Sequence, residues 1–355
     1  MKLIKILFYL AGLGLILALA GAGVLYHVYN TQLPSVDELG EVRYQMPMRI
    51  HDREGGLMAE FGDQRRFPVS FDEIPPVVVD AFVAAEDDRF FEHVGVDFLG
   101  LARAAIELVR TGEKSQGGST ITMQVARNFY LGREKTYTRK LYEVLLAIKI
   151  DRAFSKEDIL ALYLNKIFMG HRAYGVKAAA QVYFDKDLPE LTVAEAAMLA
   201  ALPKAPSSTN PVTNPERALA RRAYVLGRML KLEMIDQATF ERSIDESLPG
   251  RLHTSAKVAT RAPYAAEMAR RDLVEKYGPE AYSMGITVRT SIDPAAQRSA
   301  TRALRRALID YDRRHGYRGP EADWSEWIED GEALERQLAE TSRVGGLLPA
   351  VVLEA

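Results

Sequence analysis

The residues from Ile6 to Leu25 carry no charge and are almost wholly apolar. As a helix they reach roughly 30 Å, the thickness of a bilayer core. Lys2 and Lys5 precede the run, and Tyr26, His27 and Tyr29 follow it. That order is expected of a helix with its N-terminus inside and the body of the protein outside. Ala18-Leu19-Ala20 also offers a signal-peptide cleavage site. The apolar run continues past it to a length such peptides seldom need, which favours an uncleaved anchor over residues 6–28, behind a cytoplasmic tail of residues 1–5.

Beyond the anchor the pattern changes twice. "MRIHDREGGLMAEFG" alternates around Gly55-Gly56 and predicts a short β-hairpin within a stalk of residues 29–69, closed by Pro68. From Ile74 the period becomes helical: Pro75-Pro76 opens a helix in which Val78, Ala81, Phe82 and Ala85 recur on one face, with Glu86 near its C-terminal end. Further helices are predicted from Phe98 to Arg110, Thr120 to Phe129, Thr138 to Ile150 and Pro215 to Leu232. Ser155 with Asp158, and Thr192 with Glu195, read as N-caps of two more. Residues 70–245 therefore read as one mainly α domain. In residues 246–355, "GITVRTSID" predicts a strand, residues 294–314 a basic amphipathic helix, and "LLPAVVLEA" a strand begun as the chain stops. This region reads as a linker and the start of a further, truncated domain.

Composition narrows the chemistry. With 46 basic and 48 acidic residues the net charge is −2, which gives no global pull toward nucleic acid. The chain has no cysteine, which excludes disulfides, thiolate metal sites and cysteine nucleophiles. Its 6 histidines show no metal-binding spacing.

Three segments carry candidate chemistry. "FVAAEDDRFFEHVGVD" sets Glu86, Asp87 and Asp88 against Phe90, Phe91 and His93. A carboxylate cluster at a helix C-terminus opposes the helix dipole and needs an offsetting partner. "GGSTITMQVARN" begins with a glycine pair, Gly117-Gly118, able to bring backbone N–H groups to an anion, and lays Thr120, Gln124, Arg127 and Asn128 along one helix face. "RKLYEVLLAIKID" sets Arg139, Lys140 and Glu143 within one turn. Each has a plainer reading in isolation: a solvated helix end, a turn, a surface ion pair worth a few tenths of a kcal/mol.

Taken in order, "EDDRFFEHVGVD", "GGSTITMQVARNFYL", "RKLYEVLLAIKID", "ILALYLNKIFMGHRAYGVKAAAQVYF" and "AAMLAALPKAPSSTNP" resemble the five motifs of the peptidoglycan glycosyltransferase domain of class A penicillin-binding proteins. "VRTSIDPAAQRSATRAL" and "YDRRHGYRGPE" are similar to the linker of the 1A-type members. Met123 stands where many members have glutamine, and Arg127 where many have lysine.

The resemblance implies a mainly α, lysozyme-like domain that polymerises lipid II into glycan strands at the outer face of the cytoplasmic membrane. On it, Glu86 is the general base and inversion at the anomeric carbon releases undecaprenyl pyrophosphate. Thr120, Gln124, Arg127, Asn128, Arg139 and Lys140 line the donor sugar and pyrophosphate subsite, with Lys204 a further addition. Glu143 orients or activates around the pyrophosphate, and Asp87, Phe90 and His93 support Glu86. The implied partners are lipid II, the lipid-linked glycan chain, peptidoglycan, the membrane and other wall-synthesis proteins. No cofactor is demanded, although the resemblance leaves room for a divalent cation, Mg or Mn, on the pyrophosphate.

Two other readings of the same residues stay open, a membrane-anchored lytic muramidase using Glu86 as acid and an inactive cell-wall scaffold. Ser-x-x-Lys occurs nowhere in the chain, so no transpeptidation is expected of these residues. The resemblance also leaves the direction of the Glu86 pKa open, because burial beside phenylalanines raises it and neighbouring cations lower it.

Overall fold

The computed structural model describes residues 12, 14, 16, 19–21, 23, 26–42, 44–62, 64–111, 118–132, 136–247, 252–253, 258–316, 319–342 and 347–352. The tail, most of the apolar run, Gly117 and part of the "GREKTY" connector lie outside them. Among the described residues no helix is long and apolar enough to cross a membrane.

The chain is mostly helical with one small sheet. Strands β1 (Met48–His51) and β2 (Leu57–Phe61) form the expected hairpin, and β3 (Thr287–Arg289) completes a sheet of order β2-β1-β3. Asp52 Oδ1 organises the hairpin turn by accepting the N–H groups of Glu54 and Gly56 at 2.9 and 2.8 Å. The helices follow as α1 (Pro76–Glu86), α2 (Phe98–Thr111), α3 (Ile121–Tyr130), α4 (Tyr137–Ala153), α5 (Lys156–Lys166), α6 (Val176–Phe184), α7 (Val193–Ala201), α8 (Pro215–Lys231), α9 (Gln237–Asp245), α10 (Pro263–Tyr277), α11 (Pro294–Arg314) and α12 (Gly331–Glu340).

Two compact units divide the chain. One comprises Met1–Arg49, Glu60–Lys257 and Ala269–Thr287; the other comprises Ile50–Ala59, Val258–Met268 and Val288–Ala355. In the first, α7 is the buried axis. Its sequence, VAEAAMLAA, is apolar nearly all round, as a helix enclosed by protein must be. Small alanines let α1 and α8 pack closely against it. A capping box fixes its start: Thr192 Oγ1 accepts the Glu195 N–H, and Glu195 returns a bond to the Thr192 N–H. Phe82 and Tyr163, both 0% exposed, meet edge to face with centroids 6.2 Å apart, joining α1 to α5. Full burial of one such ring is worth about 2–3 kcal/mol.

α1 stops where the sequence reading placed its end. Asp87 leaves helical geometry (φ −162°), while its N–H still bonds the Val83 carbonyl. The following loop is clamped to α4 at Gly95, which has φ +76°; a Cβ there would lie 2.4 Å from the Ala147 carbonyl oxygen. Only glycine accepts both that backbone conformation and that approach.

In the second unit, Asp52 Oδ2 accepts the Thr260 hydroxyl at 2.6 Å. Asp293 caps α11 by accepting the N–H groups of Ala295 and Ala296. Of the strand expected from Leu347, Leu347 makes a β-bridge and residues 348–352 join no sheet among the described residues; residues 353–355 lie outside them.

Candidate active site

The site is assembled from α1, α3, α4 and the loop after α1. Glu86 lies in the last turn of α1 and is half-buried. Its Oε2 accepts Gln124 Nε2 at 2.8 Å, and Gln124 Oε1 accepts Arg127 Nη2 at 3.4 Å. Burial raises the Glu86 carboxyl above its ordinary value; the Gln124 bond and the fields of Arg221 and Arg127 pull it partly back. The direction that sequence left open is therefore upward, because desolvation is the largest effect.

Asp87 faces the other way and is 7% exposed. Its Oδ2 accepts the Ile121 N–H at 3.0 Å, and His93 Nε2 lies 3.0 Å from both carboxylate oxygens. A carboxylate at the first amide of α3 suits the positive end of that helix. Phe90 is fully buried beside His93, with centroids 6.3 Å apart. Lys156 lies 4.8 Å over the Phe90 ring and donates to the His93 carbonyl at 2.6 Å. Asp88 instead pairs with Arg228 at 2.8 Å, while Arg228 Nε also holds the Ala84 carbonyl. The three adjacent acids thus have three distinct environments.

On α4, Glu143 is 1% exposed and both its oxygens are occupied. Oε1 accepts Arg139 Nη1 at 2.7 Å, and Oε2 accepts Lys140 Nζ at 2.8 Å. Lys140 Nζ reaches on to Ser119 Oγ at 2.7 Å, at the entry to α3. The pair that looked like a surface i, i+4 bridge is a buried carboxylate holding two cations. No cluster of three metal-ligating side chains occurs among the described residues.

A cleft of about 560 Å³ runs along this wall, lined by Gln124, Arg127, Asn128 and Arg139 together with Lys166, Phe168, Tyr174, Pro203 and Pro206. Among the described residues its lining has three cationic side chains and no carboxylate. Two of the expected residues are placed differently. The Thr120 hydroxyl is occupied by the Gly95 carbonyl at 2.6 Å and the Met123 N–H at 3.2 Å, so it caps α3 and ties down the loop. Lys204 is exposed, on the turn between the two cleft prolines. Sequence reading missed Arg221, whose field reaches Glu86 from α8, and Lys166 in the cleft wall. Both sit on helices whose basic residues look like solvated faces when read alone.

Residues 54–230 match the family model described as Transglycosylase. Penicillin-binding protein 1A of Pseudomonas aeruginosa is 45% identical over 341 residues, covering 96% of this chain and 41% of that protein. Penicillin-binding protein 1A of Escherichia coli is 46% identical over 363 residues, covering 100% and 42%. The crystal structure of penicillin-binding protein 1A from Haemophilus influenzae aligns with 33% identity over 85% of this chain and 35% of that one, with a TM-score of 0.47. The chain therefore spans 41–42% of the length of these two curated relatives. Its five ordered motifs, the Transglycosylase match and the similarity along nearly its whole length together show that the chain belongs to the class A penicillin-binding protein family, of which it carries the glycosyltransferase domain.

Proposed function

We propose that this chain polymerises lipid II into peptidoglycan glycan strands by inverting glycosyl transfer, with Glu86 as general base. The observation that carries the reading is the Glu86–Gln124–Arg127 chain of hydrogen bonds leading into a cation-lined cleft. Glu86 takes the proton from the 4-hydroxyl of the incoming sugar. That oxygen attacks the anomeric carbon of the lipid-linked chain, and the bond to pyrophosphate breaks with inversion. Pyrophosphate is already a good leaving group, so the reaction needs one base and a set of cations. Arg127 and Arg139 in the cleft, with Lys140 held beside Glu143, supply that charge in a partly desolvated setting. The raised Glu86 carboxyl brings the base closer to neutrality, where it accepts a proton more effectively.

The apolar run Ile6–Leu25 supports an anchored protein with this domain outside the cytoplasmic membrane. Tethering places the enzyme in the layer that holds its polyprenyl-tailed substrates. A divalent cation on the pyrophosphate, beside Glu143, would add positive charge for the departing group.

A raised carboxyl also suits the acid of a lytic muramidase. A neutral glycan, however, has no use for Arg127, Arg139 and Lys140. The deciding experiment incubates the chain with purified lipid II. Polymer and released lipid pyrophosphate are expected from wild type and not from Glu86→Gln. Shortening of preformed glycan without polymerisation would instead establish the muramidase.

A further inference from the structure

One cation of the cleft has no partner in this scheme. Arg127 bonds Gln124 and Arg139 bonds Glu143, but Lys166, at the end of α5, makes no hydrogen bond or ion pair among the described residues. Its ammonium lies 4.6 Å from the Phe129 ring centroid. Behind it is Arg66, 4% exposed and flanked by the rings of Tyr44 and Tyr174 at 5.3 and 5.1 Å. Arg66 Nη2 donates to Gln64 Oε1 at 3.1 Å, while its Nε is buried without a partner.

A plainer account assigns Lys166 to the C-terminal dipole of α5 and to the Phe129 ring. That account covers the lysine alone. It leaves unexplained, among the described residues, a second buried cation beside it, unpaired with any carboxylate, and a cleft lining without an acid. Burial first, and Arg66 second, press the Lys166 pKa below its usual value. An arriving anion offsets both effects, because it pairs the ammonium and screens it from the guanidinium. The adjoining wall is aromatic: Phe168 and Tyr174 line the cleft with centroids 4.9 Å apart, and Tyr174 also contacts Arg66. Apolar ring faces beside a cation suit a sugar ring that bears an anionic substituent.

We propose that Lys166, backed by Arg66 and flanked by Phe168 and Tyr174, forms an anion subsite for a carboxylate or phosphate of the lipid-linked glycan substrate, separate from the Arg139–Lys140–Glu143 group. The inference rests on the transferase reading above and adds a specificity-determining residue to it. A subsite of this kind acts through substrate affinity, since a peptide carboxylate, or the phosphate that the incoming lipid II retains, is not the group whose charge develops in the reaction.

The test compares the full chain as wild type, Lys166→Met and Lys166→Arg, on lipid II and on lipid II with its peptide carboxylates amidated. Lys166→Met is expected to raise KM for lipid II about tenfold with kcat within about twofold, and Lys166→Arg to restore most of the loss. If the anion is a peptide carboxylate, amidation raises KM for wild type and leaves Lys166→Met unchanged. If it is a phosphate, the Lys166→Met defect is the same on both substrates. Lys166→Gln replaces Lys166→Met should the latter melt early. Unchanged KM on both substrates, with wild type polymerising normally, overturns the subsite and leaves the transferase reading intact. Failure of wild type to polymerise overturns that reading; calorimetric titration with inorganic pyrophosphate then decides the subsite, with affinity about tenfold weaker in Lys166→Met supporting it and equal affinity overturning it.

Discussion

Gln124 Nε2 donates to Glu86 Oε2 at 2.8 Å, binding the face of α3 to the last turn of α1. The bond favours the charged carboxylate, whereas burial favours the neutral acid, and burial is the larger. Activity and stability then depend on pH in a defined sense. A base must be deprotonated, so the acid limb of the kcat/KM profile is expected above 4.5, the unperturbed value. Gln124→Leu removes an interaction that lowers the Glu86 pKa, so the limb moves to higher pH. A limb that stays in place or moves to lower pH would show that Gln124 does not govern this group.

The same shift acts on folding. Because its pKa is raised in the folded chain, Glu86 contributes stability that is full below 4.5 and is lost as pH climbs through the raised value. Glu86→Gln is therefore expected to melt higher than wild type at pH 8, the difference vanishing near pH 4. Its polymerising activity is expected to fall by roughly 10²–10⁴-fold. Thermal melts across pH, run beside the lipid II assay, check both statements.

Glu143 holds Arg139 and Lys140 at 2.7 and 2.8 Å from a position 1% exposed. Glu143→Gln leaves two cations facing each other without the buried charge that gathers them. We expect a loss of about 1–3 kcal/mol in stability and at least about a tenfold loss in kcat/KM. Urea denaturation and the polymerisation assay would detect them; a variant equal to wild type in both would remove Glu143 from the site.

Adjacent acids are expected to behave differently. Asp87→Ala strips the Ile121 N–H and His93 of their shared acceptor and is expected to cost about 2–3 kcal/mol and most of the activity. Asp88→Ala breaks a partly exposed pair with Arg228, expected to cost about 0–1 kcal/mol and to leave polymerisation within about twofold. Equal effects on melting and turnover would contradict this division of labour.

Gly95→Ala introduces a Cβ 2.4 Å from the Ala147 carbonyl oxygen at φ +76°. The loop carrying His93 must then lift from α4, and Thr120 loses its carbonyl acceptor. A destabilisation of about 2–4 kcal/mol is expected, measured as a lowered denaturation midpoint. A midpoint equal to that of wild type would show that the loop is not clamped there.

Local chemistry was legible in the chain itself. Ser155 and Thr192 are N-caps because a short hydroxyl side chain satisfies the free amides next to it, and that needs no tertiary partner. The hairpin at Gly55-Gly56, the end of α1 at Glu86 and the shared turn of Arg139, Lys140 and Glu143 follow from periods and turn residues over a few positions. So did the ordered motifs, whose resemblance named the family. What the sequence could not supply was everything that depends on distant residues converging. Gln124 meets Glu86 across 38 positions, Arg228 meets Asp88 across 140, and Lys166 comes to share a wall with Arg127. Whether Glu143 is a solvated pair or a buried hub, and whether the Glu86 pKa rises or falls, depends on how much water each carboxylate loses. Packing of α1, α3, α4 and α8 sets that loss, and no local pattern encodes it.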